Sequence, residues 1–188
     1  MTSHRPIARL FAWWLAAALP TLAIAQAPAP TVEQRLQRVE DELALRRIIT
    51  AYSNTQDAHD YDGYVALFAK DGEWASGTNV YKGREAIRKM LVGLYGAPPP
   101  GYVNGESFHI SFNADVRVNG DTATAVSRHV LFMRGANGQP VPMLSGRYDD
   151  EFVRENGEWK IRRRLDTPVI PTADEWSKII TALRAGKQ

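Results

Sequence analysis

The 188-residue chain contains no cysteine. That absence excludes a disulfide framework, a thiol nucleophile and any cysteine-ligated metal. Histidine is scarce too: beyond the first thirty residues only His59, His109 and His129 remain. They are far apart, with no H-x-x-x-H spacing, so a metal site is unsupported. Charge of one sign is also missing. The formal net charge of +2 comes from Arg5 and Arg9 near the amino terminus, and the rest of the chain balances. A neutral body gives no electrostatic reason to expect nucleic acid or an anionic membrane surface as partner.

Long apolar runs are confined to one place. "LFAWWLAAALPTLA" follows a short segment with two arginines and no acid, and "AIA" before Gln26 supplies small residues at cleavage spacing. Residues 1–25 are therefore expected to be a signal peptide, and 26–30 ("QAPAP") a short linker. The competing reading, a membrane anchor, fails on length: a spanning helix needs about 20 apolar residues, and Pro20 interrupts this run. The expected location is secreted or periplasmic, with no membrane association after cleavage. Residues 31–188 are long enough for one domain with a sizeable core.

From Thr31, a cap candidate with Gln34 three residues on, Leu36, Val39, Leu43, Ile48, Ile49 and Tyr52 recur at helical spacing. This helix should end near "DAHDYDG", followed by a short helix, "YVALF". "DGEWAS" and "NVYKG" read as strands, "REAIRKMLVGLY" as a helix, and "GAPPPGYVNG" as a loop, because three prolines fix φ and remove donors. Such a loop is either a lid or a plain connector. Strands are predicted over 106–118, 121–134, 141–154 and 158–165, joined by "NG", "GANGQ" and "NG", the strongest short hairpin signals. Thr172 and Glu175 cap a terminal helix. Helices first and curved strands after them argue for α+β: a curved sheet partly covered by helices, whose concave face makes a small-molecule pocket.

Within "ESFHISFN", alternation sets Phe108, Ile110 and Phe112 on one face and His109, Ser111 and Asn113 on the other. The polar face could be ordinary solvated strand. The triplet "RRR" at 162–164 reads as a solvated strand edge.

The order of these pieces resembles the SnoaL-like branch of the nuclear-transport-factor-two-like superfamily. The pieces are "LRRIITAYSNTQDAHDYDGYVALFAKDGEW", "YKGREAI", H-x-x-x-N at 109–113, "NGDTATAVS" and "YDDEFVRENGEWKIRRR". The resemblance spans about Thr31 to Leu165. It implies a cone: a mixed, mainly antiparallel curved sheet wrapped by N-terminal helices around an apolar cavity. It also implies proton-transfer chemistry without a cofactor, as in scytalone dehydratase, ketosteroid isomerase and hexachlorocyclohexane dehydrochlorinase. Dimerisation through the sheet, hence a homo-oligomer, is implied as well. In the dehydrochlorinase pattern Asp57 takes the place of the dyad's acid and His109 that of its base. Asn113 matches a neighbouring site residue, and Tyr52 stands where that enzyme has a lysine.

The physical case for such a pair is independent of the family. An imidazole with an ordinary pKa of about 6.5 accepts a proton near neutrality, and a carboxylate on its other nitrogen fixes the tautomer and stabilises the imidazolium. The expected catalytic set is His109 as base, Asp57 as orienting partner, and Tyr52 and Asn113 as polar assistants. Trp74, Phe108, His129, Phe132 and Tyr148 are the expected substrate-binding set. Each has a structural alternative: a satisfied core histidine for His109, a cap for Asp57, core packing for the aromatics. His59 reads as solvated. The expected function is a cofactor-independent lyase or isomerase on a small hydrophobic molecule, aromatic and polyketide-like compounds included. The alternative is a non-catalytic ligand-binding or association protein of the same fold.

Overall fold

A computed structural model describes residues 29–185; the signal-peptide reading of residues 1–25 lies outside the described residues. No described helix is long and apolar enough to cross a membrane. Helix α1 (Val32–Asp57) starts at a capping box: the Thr31 hydroxyl accepts from the Gln34 amide, and the Gln34 side chain accepts from the Thr31 amide. These bonds occupy two of the orphan donors of the first turn. The helix buries Leu45, Ile49, Tyr52 and Ser53. Asp60 then caps α2 (Tyr61–Ala66) by accepting from the Gly63 amide at 2.9 Å.

Six strands form one sheet: β1 (Phe68–Ser76), β2 (Asn79–Lys82), β3 (Ser107–Asn119), β4 (Thr122–Arg134), β5 (Pro140–Glu155) and β6 (Glu158–Ile170). Their order is β2-β1-β6-β5-β4-β3, with β1 and β6 parallel and every other pair antiparallel. The fold is thus the mixed, mainly antiparallel α+β arrangement expected from the element order. Asn156 and Gly157 both carry positive φ, 51° and 85°, as a type I′ hairpin requires. Helix α3 (Arg84–Tyr95) follows β2 and buries Ile87, Met90 and Leu91; α4 (Ala173–Ala185) follows β6. The core joins Leu45, Ile49, Tyr64, Phe68, Ile87, Phe152 and Ile161 between the helices and the concave sheet face.

Two irregularities decide what that face presents. In β3 the register shifts between Phe112 and Asp115, and Asn113 takes φ 53°. Such a bulge re-aims the strand. Before it, His109 and Ser111 turn inward; after it, Ala114, Val116 and Val118 turn inward and pack on the core. A strict two-residue period would have sent one of these sets to solvent. In β6, pairing with β5 skips Arg162, which brings Arg164 opposite Asp150 on the inner face. Arg164 is fully buried, so the solvated-edge reading of "RRR" is corrected. The β6 strand also extends to Ile170, past the predicted end at 165.

Candidate active site

At the end of α1, where the helix meets β3, the Asp57 carboxylate accepts twice from one residue. Its Oδ2 takes the His109 backbone N–H at 2.8 Å, and its Oδ1 lies 2.6 Å from His109 Nδ1. The His109 side chain is 8% exposed and that of Asp57 22%, so the pair is shielded and Asp57 sits behind the ring. With Nδ1 engaged, Nε2 is the nitrogen left for a ligand. His109 lines a cavity of about 380 Å³.

A second imidazole–carboxylate pair belongs to the same cavity. His129, 1% exposed, places Nε2 3.0 Å from Asp166 Oδ1, and both residues line the space. Its ring stacks on Tyr148 with centroids 4.0 Å apart and planes 8° apart. His129 Nδ1 is buried with no hydrogen-bond partner among the described residues. The two pairs therefore use opposite nitrogens, and the strand register makes them diagonal neighbours on one face, because His129 lies opposite Ser111. Diagonal residues on a sheet face are about 7–8 Å apart, within reach of one small ligand.

Gly146 is what lets His129 lie where it does. The two are cross-strand partners, and a β-carbon on Gly146 would fall 2.1 Å from His129 Nε2. Gly146→Ala is expected to drive the ring off Asp166 and to lower stability by about 1–3 kcal/mol, the usual cost of overpacking. Histidine NMR alongside thermal melts checks this; an unchanged His129 environment would contradict it.

Tyr52 lines the cavity beneath these pairs. Burial pushes its phenol pKa up, partly offset by the Arg164 charge, so it stays protonated near neutrality. Its oxygen accepts from the Trp74 indole N–H at 2.9 Å, and the Tyr64 hydroxyl is its other polar neighbour. Below lies Arg164, its guanidinium 3.7 Å from the Tyr52 ring centroid and 4.4 Å from that of Tyr148, and bidentate on Asp150 at 2.6 and 2.7 Å. Burial alone would depress the arginine pKa; the Asp150 charge and hydrogen bonds outweigh it and hold it above its ordinary value.

The structure brings together at the cavity His109, its partner Asp57, Tyr52, Trp74, His129 and Tyr148. It does not bring the others. Asn113 is exposed in the β3 bulge, because its positive φ takes it out of the inward row. Phe108 and Phe132 stack on each other at 5.0 Å on the convex face, since each is an odd step along its strand from an inward histidine. His59, expected to be solvated, lines the cavity instead and stacks on Tyr102 with centroids 4.5 Å apart. Burial pushes its imidazole pKa down. Asp166 was missed because strand β6 runs further than its apolar pattern. Trp176 and Ile180 of α4 border the cavity as well, with Tyr102 and Asn104 from the proline-rich loop. Their advance signals were the Thr172–Glu175 cap of the terminal helix and the lid-or-connector reading of the proline-rich loop. Among the described residues no cluster of three or more metal-ligating side chains forms.

Residues 37–165 match the SnoaL-like domain. The protein belongs to the SnoaL-like family. This SnoaL-like chain is similar to the crystal structure of a nuclear-transport-factor-two-like protein with a cystatin-like fold from Novosphingobium aromaticivorans. They share 28% identity and a TM-score of 0.65, over 74% of this chain and 89% of that one. It is likewise similar to a candidate scytalone dehydratase of the same organism, at 26% identity and TM-score 0.60, over 72% and 88% of the two chains. A type 2 hexachlorocyclohexane dehydrochlorinase shares the fold at 17% identity and TM-score 0.56, over 72% and 93%. The fold similarity to these cone proteins agrees with the architecture described above.

Proposed function

We propose that this SnoaL-like protein is a cofactor-independent lyase or isomerase acting on a small hydrophobic molecule. The observation that carries the reading is the shielded Asp57–His109 pair at the wall of the cavity. His109 Nε2 takes a carbon-bound proton while Asp57 stabilises the imidazolium that forms. The Tyr52 hydroxyl donates to the oxygen or leaving group on which charge accumulates. His129, held by Asp166 and stacked on Tyr148, shapes the wall that the same ligand meets from the next strand. The aromatic lining favours flat rings, and the volume suits a molecule of one or two rings. Similarity to a candidate scytalone dehydratase supports elimination of water as one form of this chemistry. On the same reading the protein works outside the cytoplasm, the leader-like residues 1–25 being removed on export.

The test is turnover of a panel of β-hydroxy ketones, cyclic enones and halogenated alicyclic compounds by wild type and Asp57→Asn. Asparagine keeps the size but loses the charge that stabilises imidazolium, so kcat should fall by about 10²-fold or more while ligand affinity changes little. Saturable binding with no turnover of any panel member would favour the ligand-binding alternative.

A further inference from the structure

The amino-terminal part of α1 has no place in the core. Every residue from Thr31 to Glu40 is exposed, and the buried side of the helix begins at Asp41. Yet this projecting stretch carries an apolar stripe: Val32 is 71% exposed, Leu36 56%, Val39 53% and Leu43 49%. Their spacings of four, three and four residues are those of a coiled-coil seam, in which Leu36 and Leu43 occupy a positions and Val32 and Val39 d positions. Asp41 and Leu45, which face the domain, lie two residues from seam positions, about 200° around the helix. The stripe therefore points away from the body, and a partner helix can lie along it.

We propose that a second copy of this chain covers the stripe, the two α1 helices pairing in parallel. The flanking charges carry the choice of partner and direction. In a parallel pair each g position faces the e′ position five residues further along the other helix. Arg35 then meets the partner's Glu40, and Glu42 meets the partner's Arg47, so both kinds of flank contact are attractive and each occurs twice by symmetry. Glu42 already holds Arg46 of its own helix at 2.8 Å, and its carboxylate can accept from both arginines. An antiparallel pair that set Leu36 on Val39 would bring Arg35 against Glu42, an attractive contact, but also Glu33 against Glu40, a repulsive one, so only the parallel pair makes every flank contact attractive. The helix is preformed and capped at Thr31, so pairing does not have to order it first. Two heptads make a short seam, and the dimer is accordingly concentration-dependent.

Sedimentation equilibrium of the purified protein from about 1 to 200 μM tests this. Wild type is expected to pass from monomer to dimer across that range. Leu36→Glu with Leu43→Glu should raise the dissociation constant at least tenfold without loss of helical circular dichroism, because neither side chain is in the core. Glu40→Arg alone should weaken the dimer, and Arg35→Glu with Glu40→Arg should restore it, since the swapped pair is again attractive. A wild type monomeric throughout overturns the proposal, as does a dimer indifferent to the seam variants and dispersed by Phe112→Glu on the convex sheet face. Tightening by Glu40→Arg would overturn the parallel arrangement.

Discussion

His109→Ala is expected to lower kcat on any panel substrate by at least 10²–10⁴-fold while leaving the protein folded. The geometry separates these two outcomes. Asp57 holds β3 through the His109 backbone N–H at 2.8 Å, a bond that alanine keeps, so the junction of α1 with β3 survives the loss of the ring. What disappears is the only group whose orientation the carboxylate fixes through Nδ1. The side chain borders the cavity, so truncation opens space that a small molecule can refill. Added imidazole should therefore restore part of the rate in His109→Ala and none in a variant lacking Tyr52. Turnover by His109→Ala equal to wild type would remove the base from the mechanism, whatever else the cavity binds.

The largest effect on stability is expected from Asp150→Ala. Arg164 and Asp150 are both completely buried, and two hydrogen bonds at 2.6 and 2.7 Å join them. Removing the acid strands a guanidinium that cannot shed its charge, a loss of about 3–5 kcal/mol. At about 2–4 °C per kcal/mol for a chain of this size, Tm should drop by roughly 6–20 °C. The damage reaches the site, because the guanidinium packs against both the Tyr52 and Tyr148 rings and Tyr148 supports His129. Replacing both partners, Arg164→Met with Asp150→Leu, should recover most of the stability, since no uncompensated charge remains. Calorimetry on wild type and the two variants distinguishes an uncompensated charge from simple loss of packing: in the latter case the double variant would be no better than the single.

Much of the site was legible because strands report their faces. The alternation in "ESFHISFN" set His109 and Ser111 apart from Phe108, Ile110 and Phe112, and the structure keeps that division. It also shows why Phe108 could not join His109 in the cavity: neighbours on a strand never share a face. Asn113 should have stayed with His109 by the same rule. One extra residue in the bulge breaks the rule, and "NADV" carries no glycine or proline to announce it. Arg164 was misread for a related reason. A triplet of arginines looks solvated until a skipped pairing at Arg162 turns the third toward an aspartate fourteen residues earlier.

By itself the amino-acid sequence determined the order and type of the elements, the cap at Thr31, the Asn-Gly hairpins, the faces of the strands and an acid–histidine pair worth testing. These are local properties, settled by backbone sterics and by apolar spacing over a few residues. Only the tertiary structure decided that His129 meets Asp166 over Gly146, that Arg164 is sealed beneath two tyrosines, and that His59 and α4 reach the cavity. Each of those depends on strand register and on contacts between residues tens of positions apart. A shift of a single step would have exchanged the inner face for the outer one.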